Sequence, residues 1–356
     1  MHSEFLKRLR DIANVRLIAK LNDDRIGFPF PDQIRVILPD MHLFSKERQE
    51  EYHYKCFTNY NSGENDLFPM LAKLLFDFKK SKPDNVYIYQ IGDFFDLWRE
   101  TDKPYSLDEA EAQGFIQKII ESNSDVCRYL LDKEMGVNFL LGNHDYEMHR
   151  IPGYYERWRY LRYFINNEKG IPSSLLLHGD LFRWYERIPT WLKQYVVHNF
   201  SPKTRNKNLD LSIRKTHTKN GEYIDYKNEK DAEDLYLLGQ CTEPETDEPE
   251  WNLMRKDEAL DSQTLFLDKS RKLVEEVNRQ TGYRIGLTII GHTHCARIAI
   301  DDTGDSPFIL MDCGAWINES KTVVIENNNT KEIPVLNATF GVISNNDIRL
   351  YLLSPL

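Results

Sequence analysis

Cysteine is scarce in this chain of 356 residues: Cys56, Cys127, Cys241, Cys295 and Cys313 are the only five, and none stand in a CxxC spacing. A few scattered thiols, odd in number, exclude a disulfide framework and a structural zinc knuckle. They make a reducing cytoplasm the expected location. Long apolar runs are missing as well: no window approaches the roughly 18 apolar residues of a transmembrane helix. The opening stretch MHSEFLKRLRDIANVRLIAKL mixes charge with apolar residues and lacks the apolar core of a signal peptide. Positive charge is in deficit, with 46 Lys and Arg against 56 Asp and Glu, a formal net charge of −10. That balance argues against stable binding to nucleic acid over the whole surface and leaves room only for a local basic patch. There is no internal repeat and no low-complexity tract. What the chain does have is 41% hydrophobic and 12% aromatic residues, enough to bury a sizeable core in one large domain with insertions or in two ordinary ones.

The periodicity predicts an α/β fold. Residues 1–21 read as an amphipathic helix, and residues 1–30 as a helical extension ahead of the main domain at 31–356. IRVIL (Ile34–Leu38), NVYIYQIG (Asn85–Gly92), VNFLLG (Val137–Gly142), SLLLHG (Ser174–Gly179) and GLTIIG (Gly286–Gly291) read as strands. LFPMLAKLLFDFKK (Leu67–Lys80) and residues 107–134 read as helices, the latter capped by Ser106. Strand and helix alternate through the first half, as layered α/β cores do. Residues 181–285 break that rhythm and read as an inserted cap. They hold a basic stretch from Lys203 to Lys219 and an acidic, turn-rich stretch, Cys241–Trp251. From Phe308 onward short strands and turns predict closing antiparallel β structure.

The chemistry falls at the strand ends. ILPDMH places Asp40 and His42 past the first strand, QIGDFFD places Asp93 and Asp96 past the second, and LLGNHD places Asn143, His144 and Asp145 past the third. LLLHGD adds His178 and Asp180, and IIGHTH adds His292 and His294. Ligands in open α/β sheets gather at the carboxyl ends of strands, where one crevice runs along the edge. Residues at i and i+2 of extended chain share a face, so Asp40 with His42, and His292 with His294, can each reach one ion. Imidazole, carboxylate and amide oxygen form a mixed N/O set that suits Mn, Fe or Zn. Seven donors on five strand ends fit two ions sharing a carboxylate better than one ion. Asp96 reads equally as a helix cap and as a partner orienting a ligand. Cys295 alternates away from the face of His292 and His294 and reads as a packed thiol, and His149 as surface packing.

The series D-x-H, G-D-x-x-D, G-N-H-D, H-G-D and G-H-T-H, in that order, resembles the calcineurin-like metallophosphoesterase superfamily. The resemblance implies a four-layer α-β-β-α sandwich with a dinuclear metal site at its strand ends. It implies that Asp40, His42 and His294 hold one ion, that Asn143, His178 and His292 hold the other, and that Asp93 bridges both. It further implies two divalent cations, Mn foremost with Fe or Zn as alternatives. His144 would be the catalytic histidine, with Asp145 holding its ring. The implied reaction is hydrolysis of a phosphodiester or pyrophosphate by a hydroxide bridging the ions. G-D-F-F-D-L-W and H-G-D also resemble the branch containing UDP-2,3-diacylglucosamine pyrophosphohydrolases. The chain departs from that branch at His144, where several members carry Arg, and in its long segment between H-G-D and G-H-T-H.

Substrate class stays open at this point. A small, nucleotide-like phosphorylated substrate fits the aromatic residues Phe94, Phe95, Trp98, Trp184 and Tyr185 together with the cations of Lys203–Lys219, while core packing of the aromatics and a solvated basic loop are the equally open readings of the same residues. A phosphomonoesterase or phosphoprotein phosphatase is the alternative enzyme. A catalytically silent scaffold on the same fold is the alternative of another kind.

Overall fold

The computed structural model describes residues 1–22, 33–51, 67–101, 107–145, 148, 151, 163–166, 172–180, 253–255, 261–293, 296–303, 306–316, 320–325, 329–334, 338–344 and 347–354. Its strands are β1 (Asn14–Asn22), β2 (Ile34–Leu38), β3 (Val86–Gln90), β4 (Asn138–Phe139), β5 (Tyr163–Asn166), β6 (Pro172–Leu177), β7 (Leu253–Arg255), β8 (Arg284–Ile290), β9 (Arg297–Asp301), β10 (Phe308–Asp312), β11 (Ser320–Ile325), β12 (Asn329–Pro334), β13 (Thr339–Ser344) and β14 (Asp347–Ser354). Its helices are α1 (His2–Arg10), α2 (Lys46–Glu51), α3 (Leu67–Ser81), α4 (Leu97–Glu100), α5 (Glu109–Ser122), α6 (Ser124–Leu130) and α7 (Asp261–Thr281). Among the described residues, two six-stranded sheets, ordered β1-β14-β13-β2-β3-β4 and β5-β6-β8-β10-β9-β7, carry the fold, with β11-β12 as a separate hairpin.

Three apolar clusters show how these elements pack. The first joins one face of β2 and β3 (Ile34, Val36, Leu38, Val86, Ile88) to α1, α3, α5 and α6. The second draws on both sheets, with Ile37, Tyr89 and Ile343 from one and Leu176, Ile289, Ile298 and Met311 from the other. The third sets Leu175, Leu177, Phe308 and Leu310 against Leu267 and Val274 of α7. Strands covered on both faces lose the apolar-polar alternation, which is why IRVIL and FILMD are buried at every residue. Each fully buried Leu, Ile or Phe contributes about 1.5–3 kcal/mol relative to exposure, so these clusters dominate stability.

Three sequence expectations need correction. Residues 1–21 are not one helix: α1 ends at Arg10, and residues 14–22 are the edge strand β1, paired antiparallel with β14. The i, i+3, i+4 spacing of Val15, Ile18 and Ala19 imitates a helical face. A register shift between Leu17 and Ala19 lets Ile18 and Ala19 both be buried in a strand. Residues 107–134 form two helices, because Asn123 leaves helical geometry and its amide donates to Phe44 O at 3.1 Å and Ile119 O at 2.8 Å. The cap of α5 is Asp108, in a reciprocal capping box with Glu111, and Ser106 lies outside the described residues.

The third correction concerns the 181–285 cap. Within it, α7 packs under the second sheet through Leu267 and Val274, so residues 261–281 belong to the core. Residues 181–252, including Lys203–Lys219, Trp184 and Tyr185, lie outside the described residues. Their two flanks are informative. Asp180 follows the carboxyl end of β6. β7 starts at Leu253 beside Ile298, near the start of β9, which pairs antiparallel with β10. β7 therefore begins at the same edge of the sheet at which β6, β8 and β10 end.

Candidate metal centre

Parallel pairing of β2 with β3, of β3 with β4 and of β6 with β8 points the carboxyl ends of these strands to one edge of each sheet. Asp40, His42, Asp93, Asn143, His144, His178 and His292 follow directly from those ends. The turns there are tight and strained. His42, Asp93 and His292 all have left-handed backbone, with φ of 47°, 51° and 69°. Non-glycine residues hold that conformation, at a cost of roughly 1–3 kcal/mol each, only where the surroundings enforce it. Here the enforcement is visible. The backbone N–H groups of Met41 and His42 both donate to Asp93 O, at 3.1 and 2.8 Å, and His292 N donates to the Asp40 carboxylate at 2.8 Å.

The side chains converge. Asp93 Oδ2 lies 3.1 Å from His178 Nε2 and 3.8 Å from His42 Nε2, while Asp93 Oδ1 accepts from His144 N at 2.8 Å. His178 Nε2 also lies 3.2 Å from Asn143 Oδ1 and 3.2 Å from His292 Nδ1. Its other nitrogen, Nδ1, donates to Ile91 O at 3.0 Å, which leaves Nε2 to face the carboxylate, the amide oxygen and the second imidazole. Donor atoms within 4.8 Å of one another group as Asp40, His42 and Asp93, as Asp93, His178 and His292, and as His42, Asp96 and His144. Asp93 belongs to two of these groups. His294, with Cys295 and His149, lies outside the described residues.

The donor set fits divalent cations. Carboxylate, amide oxygen and imidazole lone pairs aimed at one point repel one another unless a positive charge sits among them. Burial works against a charged His178 ring, but Asp93 and then Asp40 outweigh it and push its pKa up to about 10. Burial likewise opposes ionisation of Asp93, yet His178, His144 and His42 hold its carboxyl well below the usual range. A proton on His178 and a metal ion compete for the same lone pair, so metal uptake at this position releases a proton. Glycines clear the space. A Cβ at Gly92, itself at φ +105°, would stand 2.5 Å from the His178 ring, and a Cβ at Gly142 or Gly291 would strike the Asp93 or Asp40 carboxylate.

Asp96 serves both expected roles at once. It caps α4 by accepting from Arg99 N at 3.1 Å. Its Oδ2 meets His42 Nδ1 at 3.0 Å and its Oδ1 meets His144 Nδ1 at 2.8 Å. The ring of His144 is therefore held by Asp96. Asp145, expected to hold it, instead accepts from Gly142 N at 2.7 Å and Phe94 N at 2.9 Å, bracing the loop. Asp145 is spent on these two backbone donors, and Asp96, at the start of α4, meets the ring. Burial and the nearby Asp93 push the Asp145 pKa up to about 7. Burial lowers that of His42 despite its bond to Asp96.

Other expected residues fall elsewhere. Phe94 and Phe95 are fully buried, edge-on to each other at 4.8 Å, and pack in the first cluster rather than walling a pocket. Asp180 is buried beside His178. Cys127 and Cys313 are buried. Among the described residues, no helix is long and apolar enough to cross a membrane. Two contacts at the site had no motif to announce them: Thr293 Oγ1 donates to the buried Asp312 carboxylate, and the Gln90 amide bonds two loop peptides. The profile of the calcineurin-like phosphoesterases matches residues 36–296. No curated protein matches the chain.

Proposed function

The chain belongs to the calcineurin-like phosphoesterases, a family of metal-dependent hydrolases of phosphoric esters, and from that premise we propose that it holds two divalent cations and hydrolyses a phosphodiester or pyrophosphate. In this reading Asp40, His42 and His294 hold one ion, Asn143, His178 and His292 the other, and Asp93 contributes to both. Mn is the first choice for such N/O donors, with Fe or Zn as alternatives. The four-layer α-β-β-α order and a cytoplasmic location belong to the same proposal. The observation that carries it is the convergence of His178 Nε2, Asp93 Oδ2, Asn143 Oδ1 and His292 Nδ1.

When bound, the ions supply positive charge to the phosphoryl oxygens and to the attacking water. The residues do the rest. His178 is oriented by Ile91 O and His42 by Asp96, so both rings are fixed before any ligand arrives. His144, with Nδ1 bonded to Asp96, presents Nε2 to the leaving oxygen and transfers a proton there. Such positioned proton transfer typically supplies 10²–10⁴ in rate.

Residues 181–252 are proposed to form a cap over this edge. Asp180 and Leu253, which flank them, lie at the edge of the second sheet that also carries His178 and His292. Lys203, Arg205 and Lys207 would then meet a charged, nucleotide-like substrate, so their joint neutralisation should weaken such a substrate and spare a small chromogenic diester.

The test is metal analysis of the purified chain, followed by a panel of monoesters, diesters and pyrophosphates with Mn²⁺ that includes UDP-2,3-diacylglucosamine. About two ions per chain and turnover of diesters or pyrophosphates is the expected result. No bound metal and no turnover would favour a silent scaffold. A preference for phosphoserine peptides would favour a phosphatase.

A further inference from the structure

Resting on the metal centre proposed above, we infer that Gln90 is a positioning residue whose side-chain amide ties the Asp40–His42 loop to the Asp93 turn and thereby sets the affinity of the centre for divalent cations. Gln90 is the last residue of β3 and is fully buried. It shares a strand face with Val86 and Ile88, both packed in the first apolar cluster, where a leucine would bury more apolar area. Its amide is fully engaged on this side. Nε2 donates to Pro39 O at 3.2 Å and to Gly92 O at 2.6 Å, and Oε1 accepts from Gly92 N at 3.2 Å. Pro39 immediately precedes Asp40, and Gly92 immediately precedes Asp93.

The need for this side chain follows from the ladder between the two strands. Ile91 N donates to Leu38 O at 3.0 Å, and beyond the gap Met41 N and His42 N donate to Asp93 O. Between them stand Pro39 and Asp40, and the Pro39 carbonyl is the group that Gln90 takes up. The Gln90 amide spans that gap by bonding the proline carbonyl and both polar groups of Gly92. Gly92 has φ +105° and leads into Asp93 at φ +51°, so the peptide that Gln90 grips is the one that aims the shared carboxylate. A side chain without these donors would still fill the space, but the two loops would be free to drift apart by the tenths of an ångström that ligand geometry does not tolerate.

The experiment uses the full chain and Mn²⁺ alone as probe. Calorimetry would measure Mn²⁺ binding by the natural protein, by Gln90→Met and by Gln90→Glu. A control, Val36→Ala, opens a cavity in the same cluster away from the loops. Gln90→Met keeps the volume and loses both polar ends, while Gln90→Glu loses the donors that face two carbonyls. Whichever folds by circular dichroism is read, at a temperature where the control is folded. Expected is Mn²⁺ binding weakened by about 10- to 100-fold in the Gln90 variant, the range seen when groups orienting metal ligands are removed, with the control unchanged. On bis(p-nitrophenyl) phosphate the loss should largely disappear at saturating Mn²⁺. Natural-protein affinity in a folded Gln90 variant, or an equal loss in Val36→Ala, overturns the inference while leaving the metal centre standing. If the natural protein itself binds no Mn²⁺, the metal centre fails, and the role of Gln90 fails with it.

Discussion

The carboxylate of Asp40 accepts the backbone N–H of His292 at 2.8 Å. Asp40 follows β2 in the first sheet and His292 follows β8 in the second, so this bond joins the sheets at the edge where the proposed metal ligands stand. It also holds His292 in its left-handed backbone and fixes one Asp40 oxygen. Gly291 is what allows the approach, since a Cβ there would strike that carboxylate. The two halves of the centre are thus locked in register by backbone chemistry before any cation binds. Such preorganisation spares the cations the work of ordering their own ligands.

Asp93 is the residue whose loss should be felt at both positions. Its two oxygens contact His178, the N–H of His144 and, at longer range, His42. Asp93→Ala is expected to abolish turnover and to lower bound metal from about two ions toward none. Retention of two tightly held ions in that variant, by metal analysis after dialysis, would refute a shared carboxylate.

His144 and Asp96 should separate chemistry from binding. His144→Ala is expected to keep its metal and lose roughly 10²-fold or more in turnover. Asp96→Asn retains an oxygen to cap α4 but loses the charge that holds two imidazoles. It should therefore lower both turnover and metal affinity, because Asp96 touches His42 as well as His144. If Asp96→Asn matched His144→Ala with metal affinity intact, the His42 contact would be energetically idle.

Much of this centre was legible because metal ligands come as His, Asp and Asn after apolar runs, and such runs read as strands. What stayed hidden depends on turns and on packing. The family resemblance assigns the His144 ring to Asp145, but the ring meets Asp96 from the preceding loop instead. Gln90 carried one faint signal, a polar residue in an otherwise apolar strand. The 14–22 strand was missed because three apolar residues at helical spacing also suit an edge strand with a bulge. α7 was assigned to the cap because a helix covering one sheet face has the same amphipathic pattern as a surface helix.

Gly92 offers a test of the left-handed turns. At φ +105° any side chain is strained, and a methyl would stand 2.5 Å from the His178 ring. Gly92→Ala should displace His178 and lower metal affinity at the His178 position more than at the Asp40 position. Overall stability should fall by more than the about 1 kcal/mol that a glycine substitution gains elsewhere from a stiffer unfolded chain. Unchanged metal binding and an unchanged melting temperature would show that the turn can relax.

At the start of α1 a half-buried histidine makes stability depend on pH. His2 Nε2 pairs with Tyr351 OH at 3.1 Å, and Tyr351 also receives Arg349 at 3.4 Å and stacks on Phe340. This contact ties α1 to β14. Burial, and then the positive charge of Arg349, push the His2 pKa down to about 4. An unfolded histidine titrates near pH 6.5, so between these values the unfolded chain binds the extra proton. The contribution of His2 is therefore present above about pH 6.5 and is lost as pH falls toward about 4. Partial solvent access screens the effect, so about 1 kcal/mol is the expected size. Carboxylates elsewhere also titrate in acid, and the useful quantity is the difference between the natural protein and His2→Gln. In urea unfolding from about pH 7 to about pH 4, the natural protein should lose stability relative to His2→Gln as pH falls. A difference that stays constant across that window would mean that His2 is not titrating against the fold.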